Sequence, residues 1–104
     1  MVEVRWTSQA LEDIKSIAEF ISRDSVKYAE IQVERFFAHE NLLATNCRIG
    51  RIVPEVGNDQ IRELITGSYR IIYTVIHINR VDVITVHHSS RLLINNPTFR
   101  RPKP

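Results

Sequence analysis

The stretch Ile61-Arg62-Glu63-Leu64-Ile65-Thr66-Gly67-Ser68-Tyr69-Arg70-Ile71-Ile72-Tyr73-Thr74-Val75-Ile76 decides the fold. Its two arms are rich in β-branched and aromatic residues, which suit a pleated surface, and Gly67-Ser68 between them fits a two-residue type II′ turn with glycine first. A turn of that length pairs Thr66 with Tyr69, so Ile65 faces Arg70, Leu64 faces Ile71 and Arg62 faces Tyr73. Alternation along each strand then puts Arg62 and Leu64 on one side with Ile71, Tyr73 and Val75. Arg70 projects to the other side with Glu63, Ile65 and Ile72. The arm from Tyr69 to Ile76 is apolar on both faces, as expected of an interior strand. Asn79-Arg80 turns it into a further strand from Val81 to His87.

Upstream, Gly50, Pro54, Gly57 and Asn58-Asp59 are turn formers, with Arg51-Ile52-Val53 as a brief extended piece between them. Before residue 46 the grammar is helical. Ala10, Leu11, Ile14, Ile17, Ala18 and Ile21 recur at helical spacing after the hydroxyl caps Thr7 and Ser8, with Glu12 and Asp13 near the favourable end of the helix dipole. Asp24-Ser25 caps a second helix carried by Ala29, Val33, Phe36, Phe37 and Leu43. So short a connection predicts an antiparallel hairpin. At the start of the chain, Val2, Val4 and Trp6 share one face of a short strand, whose place in the sheet the pattern leaves open. The order β–α–α–β–β–β–β predicts an α+β fold: an N-terminal strand and an antiparallel helical hairpin packed on a mainly antiparallel sheet. Trp6, Tyr28, Tyr69 and Tyr73 fall in apolar registers and are expected as core or strand-pair residues, not as a base-stacking platform, and Cys47 is expected to pack as a small hydrophobe.

The 104 residues suit one domain, 1–104, and 43% hydrophobic with 25% charged residues is an ordinary globular balance. Residues 92–104, with Asn95-Asn96-Pro97 and Arg100-Arg101-Pro102-Lys103-Pro104, read as a flexible or partner-ordered tail. A single cysteine excludes an intramolecular disulfide and a cysteine zinc cage, and it fits a reducing compartment. The opening Met-Val-Glu-Val-Arg-Trp lacks a signal pattern, and no apolar run approaches the roughly 20 residues of a membrane helix. The expectation is a cytoplasmic protein without membrane association. Charge is divided along the chain: residues 1–46 hold five Lys/Arg against eight Asp/Glu, whereas residues 47–104 hold nine against four. Eleven of the fourteen cations are arginine, the side chain suited to bidentate grip on phosphate or carboxylate.

There is no glycine-rich phosphate loop, nucleophile elbow or metal motif, which argues against common small-molecule enzymes and predicts no cofactor and no metal. Arg70 could clamp a phosphate or an acidic partner; the alternative is a pair with Glu63 at the sheet surface. His87 and His88 close the last strand, where alternation sends neighbours to opposite faces, so one metal cannot readily be held by both. They read as a capped strand end with one imidazole buried and one exposed, or as one hydrogen-bond donor or proton-transfer group for a partner.

Strung together, Trp6-Thr7 with Ala10 and Asp13, Gly50-Arg51-Ile52-Val53-Pro54-Glu55, Ile61-Arg62-Glu63-Leu64, Tyr69-Arg70-Ile71-Ile72-Tyr73, and Val86-His87 with Arg91 resemble the RelE/ParE toxin superfamily over roughly Val2 to Leu92. The resemblance implies the toxin of a type II toxin–antitoxin pair, neutralised by an antitoxin that wraps it with a segment ordered on binding. The RelE-like branch, a ribosome-dependent mRNA endoribonuclease, would use Arg70 at the phosphate, His87 or His88 for proton transfer, and Arg91. Its remaining pattern is poorly met, because His-His-Ser-Ser-Arg follows Val86 and no tyrosine follows Tyr73. The ParE-like branch looks closer in the long helical hairpin and in the Gly50–Glu55 and Arg62-Glu63-Leu64 strings. It implies a DNA gyrase inhibitor, a non-enzymatic poison binding its target through Arg62, Arg70, His87 and Arg91, with a ParD-like antitoxin in a hetero-oligomer. A plain nucleic-acid-binding module is the third reading, and a net charge of only +2 argues against it.

Overall fold

The computed structural model describes residues 1–99. Strand β1 (Glu3–Trp6) leads into helices α1 (Ser8–Ser22) and α2 (Val26–Thr45), followed by β2 (Arg51–Ile52), β3 (Ile61–Thr66), β4 (Tyr69–His77), β5 (Arg80–His88) and a 3₁₀ turn at Leu93–Asn95. One five-stranded sheet results, in the order β1-β5-β4-β3-β2. Its pairs are antiparallel except β1 with β5, which is parallel, so the first strand lies beside the last. The architecture is the expected α+β arrangement of a helical hairpin on a mainly antiparallel sheet.

Both helices begin at their hydroxyl caps: Thr7 Oγ1 accepts from the Ala10 N–H and Ser25 Oγ from the Tyr28 N–H. The helices fold back on each other and bury Ala10, Ile14, Phe36 and Leu43 against Ile71, Tyr73, Val75, Val81, Val83 and Val86. At about 1.5–3 kcal/mol for each large side chain removed from water, this layer dominates the stability of the fold. Tyr28, expected as a core or strand-pair residue, is instead 51% exposed in the first turn of α2.

The 61–76 hairpin forms in the predicted register, Ile65 opposite Arg70 and Arg62 opposite Tyr73, with Gly67 at φ +57° in the turn. That positive φ is the conformation for which a type II′ turn selects glycine. The double-sided apolar character of β4 has a direct cause. Ile71, Tyr73 and Val75 face the helices, while Ile72 joins Val53 and Leu93 in a second, smaller cluster on the other face, flanked by Ile61, Ile84 and Phe99. The first part of the expected tail is therefore packed: Leu93 and Asn96 are buried, since Leu93 finds an apolar seat on the sheet and Asn96 finds polar partners beneath it. Residues 100–104 of that tail lie outside the described residues.

The β4–β5 ladder changes register between Ile72 and Tyr73: Tyr73 pairs with Val83 but Ile72 pairs with Thr85. The extra residue, Ile84, is a bulge that reverses the alternation of β5. Val81 and Val83 point to the helices, yet beyond the bulge Val86 does so, and Thr85 and His87 turn to the opposite face beside Ile72 and Arg70.

Candidate functional site

Arg70 and His87 are direct cross-strand partners at the end of β4 and β5 opposite the helices. Arg70 is buried there at 7% exposure and has both sides of its guanidinium occupied. Its Nε donates to Glu63 Oε1 at 2.6 Å, and Nη1 and Nη2 donate to the two oxygens of Glu55 at 2.6 and 2.8 Å. Glu63, itself 1% exposed, also accepts from Arg51 Nε at 2.5 Å. The bidentate hydrogen bond from Arg70 pulls the Glu55 carboxyl down to about 2, from an ordinary value near 4.5, and in return raises the affinity of Arg70 for its own proton. The pairing with Glu63 weighed from the sequence is present, but within the protein and reinforced by a second carboxylate from the loop after β2.

Arg62 lies on the helix side of the sheet, away from Arg70, as the register predicts. It stitches the 46–60 segment together: Nε donates to the Asp59 carbonyl at 3.0 Å, Nη2 to Asp59 Oδ1 at 2.8 Å and Nη1 to the Gly50 carbonyl at 2.9 Å. Gly50 in turn donates its N–H to the buried Tyr73 hydroxyl at 2.9 Å. A side chain there would place Cβ 2.5 Å from the Glu63 carbonyl and 2.8 Å from the Tyr73 hydroxyl, so the close approach requires glycine. Burial raises the Tyr73 hydroxyl above the usual phenol range.

His87 is 6% exposed and has both ring nitrogens engaged. Asn96 Nδ2 lies 3.0 Å from His87 Nδ1 and 3.0 Å from Thr85 Oγ1, and His87 Nε2 lies 2.9 Å from the Arg91 carbonyl. An amide nitrogen only donates and a carbonyl only accepts, so in this arrangement His87 Nδ1 accepts from Asn96 and Nε2 donates to the Arg91 carbonyl. The Thr85 hydroxyl in turn donates a hydrogen bond to Asp13 Oδ2. Asp13 Oδ2 also accepts from the Val86 N–H at 3.0 Å, and Oδ1 accepts from Gln9 Nε2 at 2.8 Å. This placement has a structural origin: β1 pairs only as far as Val83, leaving the remainder of β5 with an unpaired edge that the α1 carboxylate covers.

His88 points to the helix side, its ring edge-on to Tyr69 with centroids 5.2 Å apart and its Nδ1 2.7 Å from the Ser90 hydroxyl. The two histidines thus occupy opposite faces, one buried and one half-buried. Among the described residues no three His, Cys, Asp or Glu side chains gather as a metal site. Arg91 is exposed and makes no ion pair among the described residues. It borders an open cleft of about 720 Å³ between α1 and residues 86–97. Of the residues singled out in the sequence, His87, His88 and Arg91 line this cleft, Arg70 neighbours His87 across the ladder without lining it, and Arg62 lies away from it on the helix side of β3.

Residues 4–93 match the model of the ParE toxin of the type II toxin–antitoxin system parDE. The chain belongs to the ParE toxin family. The fold of this ParE-family toxin is shared with a chain of the chromosomal ParDE toxin–antitoxin system from P. aeruginosa. That match has a TM-score of 0.68 at 15% identity and covers 85% of this chain and 96% of the other. A search of curated proteins returns no match. No helix among the described residues of this ParE-family toxin is long and apolar enough to cross a membrane. Sequence reading missed Glu55 as the second partner of Arg70, Asn96 as the anchor of His87, and the α1 wall of the cleft at Phe20 and Arg23. The available signal for that wall was the helical stripe Asp13, Ser16, Ile17, Phe20, whose facing wall lies some seventy residues away in the chain.

Proposed function

We propose that this toxin acts in the cytoplasm by binding DNA gyrase, without turnover, and that a ParD-like antitoxin neutralises it in a hetero-oligomer. The observation that carries the choice of binding over cleavage is the engagement of Arg70 and His87, the strand arginine and one of the two histidines the ribonuclease reading would use, while His88 and Arg91 stay open to the cleft. Arg70 is held by two carboxylates, and His87 is buried with both nitrogens bonded. A phosphate-stabilising cation and a proton-transfer group must be free to meet the reacting atoms, and neither of these is. Membership of the ParE family supports the same choice.

Within this reading the four residues divide their work. Arg91, exposed at the mouth of the cleft, contacts the target. His87 holds the turn that presents it, through the Arg91 carbonyl, while Arg62 and Arg70 brace the 50–60 segment through Asp59 and through the carboxylates of Glu55 and Glu63. Purified toxin added to gyrase and relaxed plasmid should block supercoiling and trap cleaved DNA. Unchanged supercoiling with no cleaved product rejects gyrase as the target, and new codon-linked 5′ ends on translated mRNA would install the ribonuclease reading instead.

A further inference from the structure

The arginines of this chain separate into those the fold consumes and those it leaves available. Among the described residues, Arg5, Arg48, Arg51, Arg62, Arg70 and Arg80 each have a carboxylate partner within ion-pairing distance. Arg23, Arg35 and Arg91 have none there, and all three are exposed. Two of these three, Arg23 at the C-cap of α1 and Arg91 in the turn after β5, line the same cleft, one from the helix and one from the 86–97 segment.

The surroundings of that pair define what it can hold. Phe20, 65% exposed, projects beside Arg23, whose guanidinium carbon lies 5.7 Å from the ring centroid, and Leu92, 69% exposed, stands beside Arg91. Each wall thus offers a guanidinium next to an apolar surface. Asp13 on the helix wall is turned to Thr85, Val86 and Gln9, and Asn96 on the other side is bonded to Thr85 and His87, so side chains on both walls are already held in place. Glu19 on the α1 wall is unfavourable for a nucleic-acid strand, which carries a phosphate on every nucleotide. A peptide can avoid Glu19 while setting individual carboxylates on the two guanidiniums and an apolar side chain between Phe20 and Leu92.

We infer that this cleft is the seat of an acidic, apolar-interrupted segment of the antitoxin, gripped by Arg23 and Arg91. The inference rests on the reading that an antitoxin neutralises this toxin and deepens it: by taking Arg91, the segment covers the residue assigned above to the target.

The test is direct binding of the antitoxin encoded beside this chain to the purified full-length toxin, by surface plasmon resonance. The double substitution Arg23→Glu with Arg91→Glu should weaken binding at least fivefold, and Arg35→Glu, an equally exposed arginine outside the cleft, should leave it unchanged. A smaller loss, or an equal loss with Arg35→Glu, overturns the proposal. Should the double variant unfold, Arg23→Gln with Arg91→Gln is held to the same criterion. A double variant that binds antitoxin normally but loses affinity for duplex DNA assigns the cleft to nucleic acid and likewise overturns it. Because only antitoxin binding is read, failure of the gyrase assignment shows separately, in the supercoiling assay with unmodified toxin.

Discussion

Arg70 and Arg91 both neighbour His87, one as its cross-strand partner and the other through its carbonyl, yet they carry their charge to opposite ends. Arg70 is locked between Glu55 and Glu63 on a buried face, whereas Arg91 stands open at the rim of the cleft. The comparison teaches that a basic half of a chain is not a basic surface. A buried guanidinium must be compensated, because leaving it unpaired away from water costs several kcal/mol, and compensation removes it from recognition. An exposed one needs no such partner and remains available.

The sharpest way to break this contrast is to remove a compensating carboxylate. Glu63→Ala leaves the buried Arg70 Nε without its acceptor, with Glu55 still holding the other two nitrogens, and releases Arg51, and should cost about 3 kcal/mol in urea or thermal denaturation. Arg91→Ala, judged by the same measurement, should stay within about 0.5 kcal/mol of the parent. Equal losses would erase the distinction between the two arginines.

A smaller effect is expected from the anchor that joins the two regions. Asn96→Ala leaves His87 Nδ1 without its donor and deprives the Thr85 hydroxyl of one, and should cost about 1–3 kcal/mol. Hydrogen exchange should show the loss concentrated in residues 92–99 while the helices stay protected; a uniform loss would mean that this segment is not a separate clamp on the sheet.

The smallest effect concerns pH. Glu55 is depressed to about 2, so its contribution is present above its ordinary value near 4.5 and is lost as pH falls toward 2. Its side chain is 48% exposed, and solvent screening reduces the contribution to about 1 kcal/mol at neutral pH. Glu55→Gln should flatten the stability profile between pH 4.5 and 2 by that amount. An unchanged profile would show that Glu63 alone compensates Arg70.

Much of this was legible in the linear chain. Turn length and strand alternation are local rules, so the 61–76 register, the separation of Arg62 from Arg70 and the opposite faces of His87 and His88 all followed from residues within a few positions of one another. Caps and periodicity likewise placed both helices at Thr7 and Ser25. What only the tertiary structure decided depends on contacts between distant segments. The parallel place of β1, the bulge at Ile84 that turns Thr85 and His87 to the second face, the reach of Glu55 to Arg70 and the docking of Leu93 and Asn96 each join residues that no local spacing relates. Charge shows in a sequence, but whether it is compensated is a matter of distance in space, and that is why the chain announces its arginines while the fold alone selects which of them remain free.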